Sequence, residues 1–477
     1  MRGRNDDFLR DHQGSGFHIL GSRKRRDPMK KTGDTRMRSC GDDRLPPLDS
    51  GLSEVIHRLR GIADRLYART GMSRREFLKS QMGLAAFFLS MNQVFGRFFM
   101  VEEAEALEKG AAEEKAAALS EQFIFDVQVH YVHDDYPSPD GLLSLREAAK
   151  GWNPELKGKK PVLEDILYEN FVREVFQQSQ TRAAVLSNAP ADDKKGWFIT
   201  NEEAVRTRDR VNERLGMRKL LAHAIFTPGQ PGWMDELDKA IDLKPDAWKG
   251  YTLGDPRGNS RYPWRLDDEK LVYPAFEKME KAGIQNVCIH KGLLPSGYGQ
   301  KLTRKQIEHA GVDDLGKAAK DWPNLNFIIY HSAIEKGIPR QEDAAEFRKT
   351  GRIAWVTELS EIPEKHGVEN VYGELGAVFA TTCVAHPELC AGMLGTLVRG
   401  LGPDHVCWGT DSVWFGSPQW QIEAMRRIEI PEGLQKQHEF KPLGPADGPV
   451  RNAIFGENSA RLYNVDADAQ KSGSRSM

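Results

Sequence analysis

The run FIFDVQVHYVH at 123–133 sets Gln128 and His130 two residues apart at the end of an apolar stretch. In an extended chain, residues two apart face the same side, so this amide and imidazole project together. Other apolar runs close on similar groups. QNVCIH ends in His290, LNFIIYH in His331 and HVCWGTD in Asp411, while AWKGY carries Lys249. One histidine after an apolar run is ordinarily a satisfied core or surface residue. Asp411, between Gly409 and Ser412, could equally cap a helix or fill a turn. Three histidines and an aspartate at four separate run ends are a different matter. They are the donor types that hold a divalent cation and leave a position open for water or substrate. Gln128 is the odd member, because a neutral amide oxygen is a harder and weaker ligand than imidazole.

Such side chains need a scaffold that gathers distant segments at one face. Apolar runs predict strands near Phe123–Val129, Arg182–Ser187, Lys219–Phe226 and Ala247–Thr252. Four more are expected near Gln285–His290, Leu325–His331, Glu369–Glu374 and His405–Asp411. Between them lie stretches of helical periodicity, among them LEDILYENFVREVFQQ, NEEAVRTRDRVNERLG and DEKLVYPAFEKMEKAG. Strands alternating with helices argue for a parallel sheet, and eight of them predict an α/β (β/α)8 TIM barrel with loop insertions. A doubly wound open sheet is the alternative, weakened by the absence of GxGxxG after an early strand. In a barrel the chemistry sits at the C-terminal ends of the strands, which is where these groups fall.

On these residues the chain resembles the amidohydrolase superfamily. It is most similar to the branch that includes aminocarboxymuconate-semialdehyde decarboxylase and resorcylate-type decarboxylases beside hydrolases. The resemblance covers 123–465 and rests on four features: D-x-x-x-H in the first strand, the histidines ending strands five and six, WGTDS at strand eight, and GENSARLY at 456–463. It implies a metal-dependent enzyme holding one divalent ion, zinc before manganese. The ion's ligands would be His130, His290 and Asp411, with Gln128 standing where the family has the first histidine of a pair. His331 would be the acid/base and Asp411 would take a proton. The family's Lys on the fourth strand makes Lys249 either a bridge between two ions or a substrate contact. His133 is a candidate substrate contact or simply exposed, and Glu374 a partner behind a ligand histidine or a solvated residue. His386, before Pro387, reads as a helix N-terminal residue. The expected activity is metal-assisted hydrolysis of a C–N or C–O bond in a small substrate. The alternatives are non-oxidative decarboxylation of an aromatic carboxylic acid, or an exported binding protein without turnover. Trp264, Tyr262, Trp414 and Trp420 hint at an aromatic-walled pocket, and members of this branch commonly pair as homodimers.

The chain has 477 residues, 67 basic and 69 acidic, for a net charge of −2, which gives no basic face for nucleic acid. Its five cysteines form no CxxC pair, so neither a disulfide framework nor a thiolate zinc cluster is indicated. Residues 1–71 are expected to be a disordered extension or a stretch before the true start at Met72. SRREFLK at 73–79 matches the twin-arginine export motif, and QMGLAAFFLSMNQVF follows as its apolar region, too short and polar to span a membrane. Ala104-Glu105-Ala106 is a candidate cleavage site. The expectation is export by the twin-arginine machinery to the periplasm or cell envelope, the alternative an amphipathic N-terminal helix of a cytosolic protein. Residues 107–121 read as a helical linker, 122–465 as the barrel and 466–477 as a flexible tail.

Overall fold

The apolar runs form eight parallel strands that pair in sequence order. They are β1 (Phe125–Val129), β2 (Ala183–Leu186), β3 (Leu220–Ile225) and β4 (Ala247–Tyr251). The second half is β5 (Asn286–His290), β6 (Asn326–Tyr330), β7 (Val371–Glu374) and β8 (Val406–Cys407). This computed structural model describes residues 50–472 apart from 151–152, 154–155, 157, 296 and 338. Most of the expected N-terminal extension, 1–49, and the tail beyond 472 lie outside the described residues. The strands face inward with Phe125, Val127, Ala183, Val185, Leu221, Ile328 and Tyr330, which pack as one buried cluster inside the barrel. Their outer faces pack under helices such as Asn201–Leu215, which a Thr200–Glu203 capping box starts and left-handed Gly216 ends.

β8 departs from expectation. Regular pairing ends at Cys407, four residues before Asp411. The barrel seam is closed instead by the irregular segment after β8. The Val127 N–H donates to the Trp408 carbonyl (3.0 Å), Asp411 N–H to Gln128 (2.9 Å) and His130 N–H to Ser412 (2.6 Å). Asp411 itself turns into the left-handed region (φ 58°), as does His331 (φ 59°) just past β6. Few non-glycine residues adopt that conformation, and those that do concentrate at functional sites.

The N-terminal region forms a helical layer on the outside of the barrel. Helix α1 (Ser50–Thr70) lies within the stretch expected to be disordered or untranslated, and it buries Leu52, Val55, Leu59, Ile62 and Leu66. Ser73 and Glu76 of the export motif make a capping box at the start of α2 (Arg74–Lys79). The expected apolar region of the signal is α3 (Gln81–Phe95), and its Met82, Ala85, Ala86, Phe88 and Met91 are almost wholly buried. Asn92 leaves that apolar face to accept from the backbone N–H groups of Phe98 (3.0 Å) and Phe99 (2.9 Å). The chain then bridges to the barrel body, the Met100 N–H donating to Arg427 and the Glu429 N–H to Phe98, each at 2.7 Å. In α4 (Glu103–Leu107), Glu105 and Ala106 of the candidate cleavage site are buried, with Glu105 paired to Arg427 at 2.6 Å. The helix Lys109–Ala118 that follows is mostly exposed. No described helix is long and apolar enough to cross a membrane.

Removing this layer strips cover from the outer helices. A chain starting at Leu107 is expected to melt at lower temperature and bind an apolar dye. Phe88→Ala in the full chain should cost about 3–5 kcal/mol, the range for a buried aromatic truncated to a cavity. Thermal and urea unfolding check both. An unchanged melting temperature in the truncated chain would mean the layer contributes no cover.

Candidate active site at the barrel mouth

The alternation of β1 sends Gln128 and His130 to one side, and both are buried at 1% exposure. The Gln128 amide nitrogen is the point on which the site converges. It donates to Asp411 Oδ1 at 3.0 Å and lies 3.3 Å from His130 Nε2 and 3.4 Å from His331 Nε2. Strand β1, the turn after β6 and the segment after β8 thus meet at one atom. Gln128 Oε1 points away and is a buried acceptor with no partner. A Cβ at Gly376 would stand 2.5 Å from that oxygen, 2.6 Å from His331 Nδ1 and 2.9 Å from Glu374 Oε2, so only glycine fits there.

His130 shows why these atoms suit a cation. Its Nδ1–H donates to the Ser187 carbonyl at 2.9 Å, which leaves the Nε2 lone pair facing Asp411 Oδ1 at 2.9 Å. Two electron-pair donors so close need a proton or a metal ion between them, and a backbone carbonyl behind the imidazole is the usual support of a metal-binding histidine. Among the described residues, no group of three or more His, Cys, Asp or Glu side chains is placed so that it could hold a metal ion as it stands. The donor types fit a divalent ion, and the Gln128 amide stands at the position where their lone pairs meet. His290, from β5, reaches the group through His331. Its ring stacks on Tyr251 (4.7 Å between centroids, 21°) and meets His331 edge-on at 4.7 Å. Burial, then the nearby Lys249 ammonium, hold His290 well below the usual imidazole range, and burial followed by His290 does the same to His331. Both rings are therefore neutral at pH 7, as a ligand or a proton acceptor must be. Trp414 stacks on His130 (5.4 Å, 19°) and Phe198 stands edge-on to both, so the site has aromatic walls.

Beneath this layer, Glu374 and Lys249 are completely buried. Glu374 Oε2 accepts the His331 backbone N–H at 2.9 Å and so fixes the turn that carries the histidine, although it touches no ring nitrogen. Burial pushes its carboxyl up to about 8. The Lys249 Nζ has no hydrogen-bond partner and sits 3.1 Å from the centre of the Tyr330 ring. Burial brings its ammonium down to about 7, against the attraction of Cys288, Glu374 and Asp411. His133 lies in the loop after β1, bonded to Asp135 (2.7 Å) and the Lys195 carbonyl (3.2 Å) and not to the converging group. His386 is the N-cap residue of Pro387–Gly400, as its place before proline predicts. Of the four aromatic residues expected at a pocket, Trp414 lines the site. Trp264 packs on Phe226, Trp420 lies at the contact with α3, and Tyr262 is stacked by Arg261.

Several residues that shape the site were given no role from the sequence, although Asp126 is the aspartate of the D-x-x-x-H motif. Asp126 accepts from the backbone N–H of Thr410 (3.0 Å) and of Gln128 (3.1 Å) and from the Thr410 hydroxyl, clasping β1 to the segment that bears Asp411. A carboxylate inside an apolar strand was its available signal. His223, inside the barrel 3.4 Å from both the Tyr330 and Tyr463 hydroxyls, carried the same kind of signal. Arg146 pairs with Glu174 and donates to the Val413 carbonyl at 2.7 Å, steadying the loop that carries Trp414. That link joins residues too far apart in sequence for any local pattern to reveal.

Residues 125–465 match the profile of the family described as Amidohydrolase. The chain belongs to the amidohydrolase family. No curated protein matches it in sequence. Among solved structures, this amidohydrolase is similar to an uncharacterised TIM-barrel protein of Bordetella bronchiseptica. Identity there is 14% over 73% of this chain and 99% of that one, with a TM-score of 0.46. It is also similar to a 5-carboxyvanillate decarboxylase of Sphingomonas paucimobilis, at 14% identity over 72% and 100% of the chains and a TM-score of 0.40. A dihydroxybenzoic acid decarboxylase of Polaromonas, with manganese and 2-nitroresorcinol bound, gives 16% identity over 72% and 97% and a TM-score of 0.42.

Lys249 makes the amidohydrolase barrel's stability depend on pH. The unfolded chain takes up this proton below about 10.5, the folded chain only below about 7. Between those values the unfolded state binds more protons, so through Lys249 stability falls as pH drops. Lys249→Met removes that contribution. The variant's stability relative to the natural chain should be greatest at or below pH 7 and shrink toward about pH 10, as read by urea unfolding at both. An equal difference at both pH values would mean that Lys249 titrates normally.

Proposed function

We propose that this amidohydrolase is a metal-dependent hydrolase that opens a C–N or C–O bond of a small substrate at the barrel mouth. The observation that supports this reading is the convergence of Asp411 Oδ1, His130 Nε2 and His331 Nε2 within 3.0, 3.3 and 3.4 Å of one buried point. His130, His290 and Asp411 would hold one divalent ion, with Gln128 as a weak fourth partner. Zinc suits the imidazole–carboxylate set, and manganese suits it better the more the amide oxygen takes part. When bound, the ion supplies Lewis acidity, polarising a carbonyl and lowering the pKa of water from about 15.7 to about 7. The chain does the rest. Asp411 accepts the proton of the attacking water, and the neutral His331 takes that proton up and passes it to the leaving nitrogen or oxygen. Trp414 and Phe198 exclude bulk water and orient the substrate beside His130.

The aromatic walls favour a second reading. Trp414 lies nearly parallel to His130 and Tyr251 nearly parallel to His290, which suits a flat ring between them. An aromatic carboxylate held there would lose CO2 as His331 or Asp411, having first taken up a proton from water, delivers it to the ring carbon. For the N-terminal segment we propose export by the twin-arginine route, with SRREFLK read by the machinery before α3 docks on the barrel. Fractionation of a host carrying Arg74→Lys and Arg75→Lys is expected to find the protein retained inside.

The deciding measurement is metal content beside turnover. Asp411→Asn is expected to lose the ion and the activity together. His331→Ala should keep the ion and lose about 10²–10⁴ in rate, the span of a general acid/base. Full turnover in His331→Ala would end its catalytic assignment. Esters, lactones, amides and aromatic carboxylates assayed for acid and for CO2 release separate the two reactions. A metal-loaded chain that turns over none of them is a binding protein.

A further inference from the structure

The Gln128 amide has two usable orientations, and the surroundings of both are built. In the orientation present, the NH2 group faces three electron-pair donors, Asp411 Oδ1, His130 Nε2 and His331 Nε2. The carbonyl oxygen faces the Gly376 side, where it has no donor. On that side Glu374 Oε2 and the unpartnered His331 Nδ1 both border the spot that a Gly376 Cβ would fill, and a neutral His331 that accepts at Nε2 carries its proton on Nδ1. A half-turn about the last side-chain bond exchanges the two ends of the amide. The His331 proton would then move from Nδ1 to Nε2, the NH2 would face the side of Glu374 Oε2, and Oε1 would face Asp411 and His130. With nothing between them those lone pairs repel, and with a cation between them they bind it. Either orientation thus satisfies one side of the amide, and charge at the centre decides which.

We propose that Gln128 is a cation-coupled amide switch. Without an ion its NH2 holds the donor atoms together, and with an ion it turns and ligates through Oε1, biasing the site toward oxygen-tolerant ions such as Mn²⁺. The inference rests on the reading of His130, His290 and Asp411 as ion ligands. Amide oxygen is the harder donor and imidazole suits zinc, so the residue at 128 sets the preference between the two ions.

The test titrates the chelator-stripped full chain with Mn²⁺ and with Zn²⁺ by calorimetry, and follows melting temperature with and without each ion. Gln128→Met keeps the length and removes both amide ends, so it should weaken Mn²⁺ binding by about tenfold or more. Gln128→His should raise Zn²⁺ affinity relative to Mn²⁺ by about tenfold or more. Gln128→Glu retains an oxygen donor without the NH2 that bridges the empty site. It should bind Mn²⁺ at least as tightly as the natural chain and show a wider gap between its melting temperatures in chelator and in Mn²⁺. That variant decides the matter if Gln128→Met does not fold. Mn²⁺ binding by Gln128→Met as tight as that of the natural chain would overturn the switch, because the amide would then be only a filler. Equal melting gaps in Gln128→Glu and the natural chain would overturn it as well. If neither the natural chain nor Gln128→His takes up an ion while both stay folded, the metal site itself is refuted and the switch falls with it. Ion uptake with no dependence on residue 128 refutes the switch alone.

Discussion

The structure depends on the clasp between the Asp126 carboxylate and Thr410. The eighth strand has only two regularly paired residues, too few to close a barrel by itself. Asp126 accepts the Thr410 backbone N–H and hydroxyl across this seam and the Gln128 N–H on its own strand, joining the strand that carries Gln128 to the segment that carries Asp411. Burial pushes its carboxyl up to about 7 despite those bonds, so the clasp is made at the cost of a desolvated acid. What the seam gains is register. Gln128 and Asp411, 283 residues apart, come within one hydrogen bond. Without the clasp, the left-handed turn at Asp411 would be held to β1 only by the backbone hydrogen bonds of the 408–412 segment.

Around the seam the barrel gathers unsatisfied polar groups. Gln128 Oε1, His331 Nδ1, Lys249 Nζ, His223 Nδ1 and Glu374 Oε1 are all buried without a partner. Each such group costs roughly 1–3 kcal/mol when isolated from water. A core selected for stability alone would not contain them, and such groups beside His130 and Asp411 are the expected mark of a site at which local rules are broken for function. Apolar packing elsewhere offsets the cost. The helices α1 and α3 press Leu59, Phe87, Phe88 and Met91 against the barrel's outer shell, and the buried pair Glu105–Arg427 ties that layer down.

The N-terminal layer also shows where a linear pattern is ambiguous. An apolar segment of 15 residues broken by Gln81, Asn92 and Gln93 satisfies two physical demands at once. It is hydrophobic enough for an export signal and patterned enough for a helix that docks on one side. The polar interruptions carry the difference. In the folded chain Asn92 is a bracket for the backbone of Phe98 and Phe99, a role that depends on a turn three residues beyond the helix.

By itself the sequence determined the strands, because buried parallel strands are short apolar runs and eight of them alternate with helical stretches. It also marked the strand ends that bear polar, metal-competent side chains, since His130, His290, His331 and Asp411 interrupt those runs. Only the tertiary structure decided that the Gln128 amide nitrogen stands where these groups converge, that Glu374 holds the backbone of His331 and not its ring, and that His133 turns aside to Asp135. It alone showed Asp126, Arg146 and His223 in their places. The reason is one of range. Strand patterning is fixed by neighbours two residues away, whereas a site is fixed by contacts between residues hundreds of positions apart. Those contacts come from barrel closure, and no local pattern encodes them.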